Sequence, residues 1–123
     1  MKSSESVYFP RVGLVCQDLM VRSRVEVALG FPVVTVEPSG PRLDGGFDLL
    51  LLDLNRSAPE RLAWLSGLAS PESSSEVICF GPHTEMASLN PTARAAGASR
   101  CVANSHLPET LQRWLGSWRG DHD

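Results

Sequence analysis

Short unbroken apolar runs alternate along the chain with stretches in which apolar positions recur at helical spacing, the signature of strands and helices in turn. Arg11 to Cys16 (RVGLVC) is the first such run, and Leu19 to Leu29 follows with Met20, Val21, Val25, Ala28 and Leu29 on one helical stripe closed by Gly30. Pro32 to Val36 (PVVTV) is β-branched and predicts a second strand. Glu37 to Gly46 (EPSGPRLDGG) holds five Pro and Gly residues that break regular structure, so a loop or one helical turn is expected.

Phe47 to Leu54 (FDLLLLDL) gives the strongest strand signal, because an apolar run of this kind suits a central parallel strand covered on both faces. Ser57 to Glu60 (SAPE) reads as a capping box that opens a helix to about Ala69, burying Leu62, Leu65 and Leu68. After the loop SPESSS, Val77 to Phe80 predicts a fourth strand ended by Gly81 and Pro82. Asn90 and Pro91 divide the next segment, with Asn90 capping a short helix that stops at Gly97. Ser99 to Ala103 makes a fifth strand, and Pro108 to Trp118 a last helix with Leu111, Trp114, Leu115 and Trp118 in a stripe.

Short apolar strands separated by helices predict an α/β fold, a doubly wound five-stranded parallel sheet with helices on both faces, flavodoxin-like, over residues 11–119. Residues 1–10 read as a flexible arm and 120–123 as a tail. Ligands and chemistry in such sheets gather at the carboxyl ends of the strands, here Cys16 to Asp18, Asp53 to Asn55, Gly81 to His83 and Asn104 to His106.

The segment FDLLLLDLN, the Ala96 Gly97 Ala98 turn and the Pro108 Glu109 Thr110 Leu111 helix start, with the spacing between them, resemble the response-regulator receiver family over roughly residues 11–115. The resemblance implies that Asp53, at the end of the third strand, stands where receivers accept a phosphoryl group. It also implies two acidic residues after the first strand that hold Mg²⁺, a Ser or Thr after the fourth, and a lysine after the fifth. Here Cys16 and Gln17 stand at the acidic pair with Asp18 next in line, Gly81 stands at the hydroxyl position, and Asn104 followed by Ser105 stands at the lysine. Weak or absent Mg²⁺ binding is expected. The interval between second and third strands is short for the family, so the second helix should be reduced or absent.

Charge sharpens this contrast. Lys2 is the one lysine among 11 basic residues and falls in the predicted arm, so no ammonium elsewhere substitutes for the missing one. An Asn amide donates a hydrogen bond but brings no charge to a transferred phosphoryl group. The sequence therefore points to a divergent pseudo-receiver, not an enzyme, in which Asp53 is a vestigial phosphoacceptor within a pocket of Cys16, Gln17, Asp18, Asn55, Gly81 and Asn104.

Two alternatives accompany this reading. One is an atypical two-component response regulator phosphorylated at Asp53. The other is a small-molecule or metal sensor using the same cleft, where Cys16, Asp18, Asp53, His83 and His106 together would offer soft and nitrogen ligands beside the carboxylates, although their spacing matches no metal motif.

In receivers the face formed by the fourth helix, fifth strand and last helix is the usual docking surface. The resemblance thus implies contacts through Arg94, Arg100, Leu107, Gln112 and Trp118 with another signalling protein, an output domain or a second copy. Trp64 and Trp114 read as further aromatic positions, Trp114 in the core stripe.

The remaining composition narrows the setting. At 123 residues, 42% hydrophobic and 20% charged, the chain suits one folded domain. A net charge of −3 without a basic run argues against nucleic-acid binding by this chain alone. No apolar run approaches the roughly 20 residues of a membrane span, and the N-terminus lacks a signal-peptide core, so a cytoplasmic protein is expected. Cys16, Cys79 and Cys101 form no CxxC pair, and Cys101 reads as core.

Overall fold

The computed structural model describes residues 9–37, 46–68 and 76–121. Five strands among the described residues form one parallel sheet: β1 (Val12–Val15), β2 (Val34–Thr35), β3 (Leu49–Asp53), β4 (Glu76–Gly81) and β5 (Arg100–Ala103). Their order across the sheet is β2-β1-β3-β4-β5. Among the described residues four helices, α1 (Leu19–Leu29), α2 (Ala58–Leu68), α3 (Met86–Ala96) and α4 (Leu107–Asp121), connect and follow them. The doubly wound α/β architecture read from the sequence is the one observed.

The leucine run lies at the centre, and every residue from Leu49 to Asp53 is buried. Its side chains alternate between the two faces. Leu49 and Leu51 join Val25, Leu29, Leu111 and Leu115 beneath α1 and α4. Leu50, Leu52 and Leu54 join Leu62, Leu65 and Ala93 beneath α2 and α3. An apolar residue at every position is what a strand with helices on both sides needs.

Several elements differ from expectation. Residues 9 and 10 are not a loose arm: the Phe9 ring lies 5.2 Å from that of Phe31, and Pro10 is buried. On α1, Val25 and Leu29 are buried but Met20, in the first turn, is 66% exposed. Strand β2 is only Val34 and Thr35, both exposed, while Val33 and Val36 turn into the two cores. The expected reduction of a helix between the second and third strands falls on residues 38–45, outside those described, as does the loop at residues 70–75.

The capping box before α2 does not form. Ser57 has φ of 55°, in the left-handed region, and a capping residue needs extended backbone to bring its hydroxyl onto the next amides. Only its carbonyl engages the helix, accepting from the Arg61 amide at 2.9 Å. Helix α3 runs unbroken through Pro91, with Asn90 inside it accepting from Arg94 Nε at 2.9 Å. The amide that Pro91 lacks would have met the Ala87 carbonyl; both residues are exposed, so water can serve that carbonyl. Helix α4 starts at Leu107 and continues past Trp118 to Asp121, so residues 120 and 121 extend it and are not a tail. Among the described residues no helix is long and apolar enough to cross a membrane.

Candidate functional site at the carboxyl edge of the sheet

Asp53 ends β3 and is 4% exposed, facing the side of the sheet covered by α1 and α4. Its carboxylate is enclosed by donors from the chain itself. Oδ2 accepts from the Cys16 thiol at 2.8 Å. Oδ1 accepts from the Asn55 amide at 2.8 Å and from Asn55 Nδ2 at 2.6 Å. The Asp53 carbonyl accepts from Arg61 Nη1 at 2.7 Å. A buried carboxylate needs such partners, and here all those on its oxygens are neutral.

Cys16 follows β1 and is itself buried. Burial first, and then the hydrogen bond to Asp53, push its thiol up to about 12, against a lesser lowering by the Asp18 backbone. At neutral pH it is therefore a protonated donor. Asp18 is turned to the helix: its Oδ1 accepts from the Met20 amide at 2.8 Å and more distantly from that of Val21, at 3.4 Å, capping α1. Gln17 is exposed at the rim.

Asn55 and Asn104 join the ends of β3 and β5 by a reciprocal amide pair, Asn55 Nδ2 to Asn104 Oδ1 at 3.0 Å and Asn104 Nδ2 to Asn55 Oδ1 at 2.8 Å. Both hydrogen bonds are between neutral groups. Gly81 does not join this group. A Cβ built on it would lie 3.3 Å from Met86 Cε and 3.5 Å from Leu54 Cβ, on the α2 and α3 side of the sheet. The pocket residue from β4 is Phe80, which pairs with Asp53 in register and lines the cleft.

In front of Asp53 opens a cleft of about 930 Å³ between the start of α1 and the start of α4. Leu19 and Met20 form one rim, Leu107 and Pro108 the other, and Arg24, Arg56 and Arg61 bring positive charge. Phe80 and the arginines were missed from the sequence. Phe80 requires the register of β4 against β3 to be known, and Arg61 is distinguished only by lying one helical turn after Ser57, which no motif marks.

Other expected residues separate. His83 and His106 are exposed in short 3₁₀ turns ahead of α3 and α4. Among the described residues no three His, Cys, Asp or Glu side chains gather closely enough to share a metal ion, so the five proposed ligands do not converge. Arg94, Arg100 and Gln112 are exposed on α3, β5 and α4. Leu107 is buried in the core instead, since α4 begins one residue earlier than expected and turns it inward. Trp118 packs half-buried on the same core and stacks on Trp114 with centroids 6.4 Å apart. Trp64 packs against the opposite core.

No family model matches the sequence, and no curated protein does. Solved structures do resemble the fold. A response regulator from Thermotoga maritima superposes with a TM-score of 0.67 at 16% identity, over 89% of this chain and 99% of that one. A CheY-like protein, TadZ, from Pseudomonas aeruginosa PAO1 gives 0.69 at 17% identity over 89% and 95%. HP1043, an orphan response regulator of H. pylori, gives 0.57 at 20% identity over 90% and 94%. The chain has the receiver fold.

Proposed function

We propose that this receiver-fold domain is a signalling module that works by protein–protein contact and without phosphorylation of Asp53. The observation behind this reading is the closed set of hydrogen bonds on the Asp53 carboxylate, made by Cys16 and Asn55. In-line attack on a phosphodonor needs a free carboxylate oxygen and a cation to offset charge on the transferring group. Neither oxygen of Asp53 is free of an internal donor, and Asn104 is bonded to Asn55 as a neutral amide.

Mg²⁺ does not fit this donor set. A hard dication requires anionic or carbonyl oxygens turned towards it. Cys16 offers a protonated thiol, and Asp18 directs Oδ1 to the amides of α1. Exposed Arg94, Arg100 and Gln112 are proposed as contact points for another signalling protein, an output domain or a second copy. The test is incubation with acetyl phosphate and Mg²⁺ followed by intact mass measurement. No stable phosphoryl adduct is expected; an adduct abolished by Asp53→Asn would overturn the reading in favour of an atypical phosphorylated regulator.

A further inference from the structure

The cleft in front of Asp53 is positively biased in a chain whose formal net charge is −3. Arg24, Arg56 and Arg61 line it against Asp18 and Asp53. Both aspartates are engaged, Asp53 on both oxygens and Asp18 through Oδ1. The arginines are not matched in the same way. Among the described residues no carboxylate pairs with any of the three.

Arg61 is the informative one. It is 9% exposed, and the single hydrogen bond of its guanidinium runs from Nη1 to the neutral carbonyl of Asp53. A guanidinium carries five N–H donors, and a buried cation is costly unless it is paired. None of its nitrogens is both sealed from solvent and unbonded, so the remaining donors keep solvent access on a side chain that lines the cleft. A buried cation with donors to spare and no counter-charge is half of an anion site.

The walls supply the other half. Leu19 and Met20, at the rim, are 76% and 66% exposed, while Phe80 and Leu107 line the cleft from the core beneath it. Cavities of this size, apolar with a few convergent polar groups, suit small organic ligands. We infer that the cleft binds a small amphipathic carboxylate, its head on Arg61 and its apolar body against Leu19 and Met20. The inference rests on the phosphorylation-independent reading for its role as an input signal, in that a ligand would replace the phosphoryl group as the event the module senses. Arg24 and Arg56, at the more exposed positions, add long-range attraction without fixing the head.

Calorimetric titration of the intact protein with naphthoate, its neutral amide and inorganic phosphate tests this. Naphthoate should bind saturably, one to one, and about tenfold or more tighter than naphthamide, the difference expected for a charge-assisted hydrogen-bonded head. Phosphate should bind more weakly than naphthoate, because it leaves the apolar walls uncovered. Arg61→Leu should cost about tenfold and Arg24→Gln a smaller factor of about three. Absence of saturable binding, equal affinity for acid and amide, phosphate as tight as naphthoate, or full affinity in Arg61→Leu would each overturn the inference. Should Arg61→Leu melt too low to assay, the comparison of acid with amide and the Arg24→Gln variant decide it. The phosphodonor experiment reads mass and this one affinity, so either reading can fail while the other stands.

Discussion

The thiol of Cys16 donates to Oδ2 of Asp53 at 2.8 Å, joining the ends of two neighbouring strands. Strands β1 and β3 run with Val15 opposite Leu52, so one further step along each brings this pair together. The position that the family resemblance assigns to an acidic metal ligand thus holds a neutral hydrogen-bond donor to the same carboxylate. Cys16→Ala removes the donor and leaves a buried carboxylate oxygen short of a partner, which should destabilise the fold by about 1–3 kcal/mol. Cys16→Ser keeps a donor and should lose less. Urea unfolding of the two variants measures the difference, and equal losses would mean that the contact adds nothing beyond packing.

The cysteines also set an alkaline limit. Burial raises Cys16 and Cys79 from the ordinary 9.0 to about 12, with Asp53 adding to the first and Cys101 to the second. A raised folded value means that the unfolded chain loses these protons first. Their contribution to stability is therefore intact below about pH 9 and declines as pH rises from 9 towards 12. Unfolding free energy measured across that window should fall, and Cys79→Ala should flatten the slope even if it lowers stability throughout. A slope unchanged in that variant would remove the thiol from the account.

The sheet and its helices were legible because periodicity reports burial. FDLLLLDL could be placed as a central strand from its unbroken apolar face pair, and Asp53 at the carboxyl edge followed from it. The places of Cys16, Gln17 and Asn104 were legible for the same reason, since position along a strand fixes position at the edge. What periodicity does not carry is register and helix phase. Gly81 was assigned to the pocket by its place in the chain, whereas alternation along β4 turns it to the opposite face and brings Phe80 in. Leu107 moved from surface to core through a one-residue shift in the start of α4. Arg61 could not be found at all, because its partner is a backbone carbonyl.

Two glycines separate close packing from tolerance. A Cβ on Gly13 would lie 3.0 Å from Val36 Cγ2 and 3.1 Å from the Phe47 ring, which also carries the Arg11 guanidinium at 4.7 Å. Both neighbours are buried and cannot swing away, so Gly13→Ala should cost about 1–3 kcal/mol. Gly81→Ala meets Met86 Cε at 3.3 Å, the far end of a flexible side chain, and should fall within about 1 kcal/mol of wild type. Thermal melts of both variants test the contrast, and a Gly13→Ala protein as stable as Gly81→Ala would contradict the packing described.

Asn55 and Asn104 should prove unequal although each bonds the other. Asn55 gives its Nδ2 to Asp53 at 2.6 Å as well as to Asn104 at 3.0 Å, whereas among the described residues the Asn104 side chain is bonded only to Asn55. Asn104→Ala therefore breaks the amide pair alone, at about 1 kcal/mol for two exposed neutral hydrogen bonds. Asn55→Ala breaks the same pair and also withdraws a donor from the buried carboxylate, so it should cost more. Once Asn55 is gone, Asn104 has no partner left to lose, and the double variant should be hardly less stable than Asn55→Ala. The coupling measured by the cycle should then equal the cost of Asn104→Ala, about 1 kcal/mol. Costs that simply add would show that the ends of β3 and β5 are held together by the sheet and not by this pair. Coupling of the expected size would identify the amide pair as the neutral link standing where the receiver resemblance places a lysine.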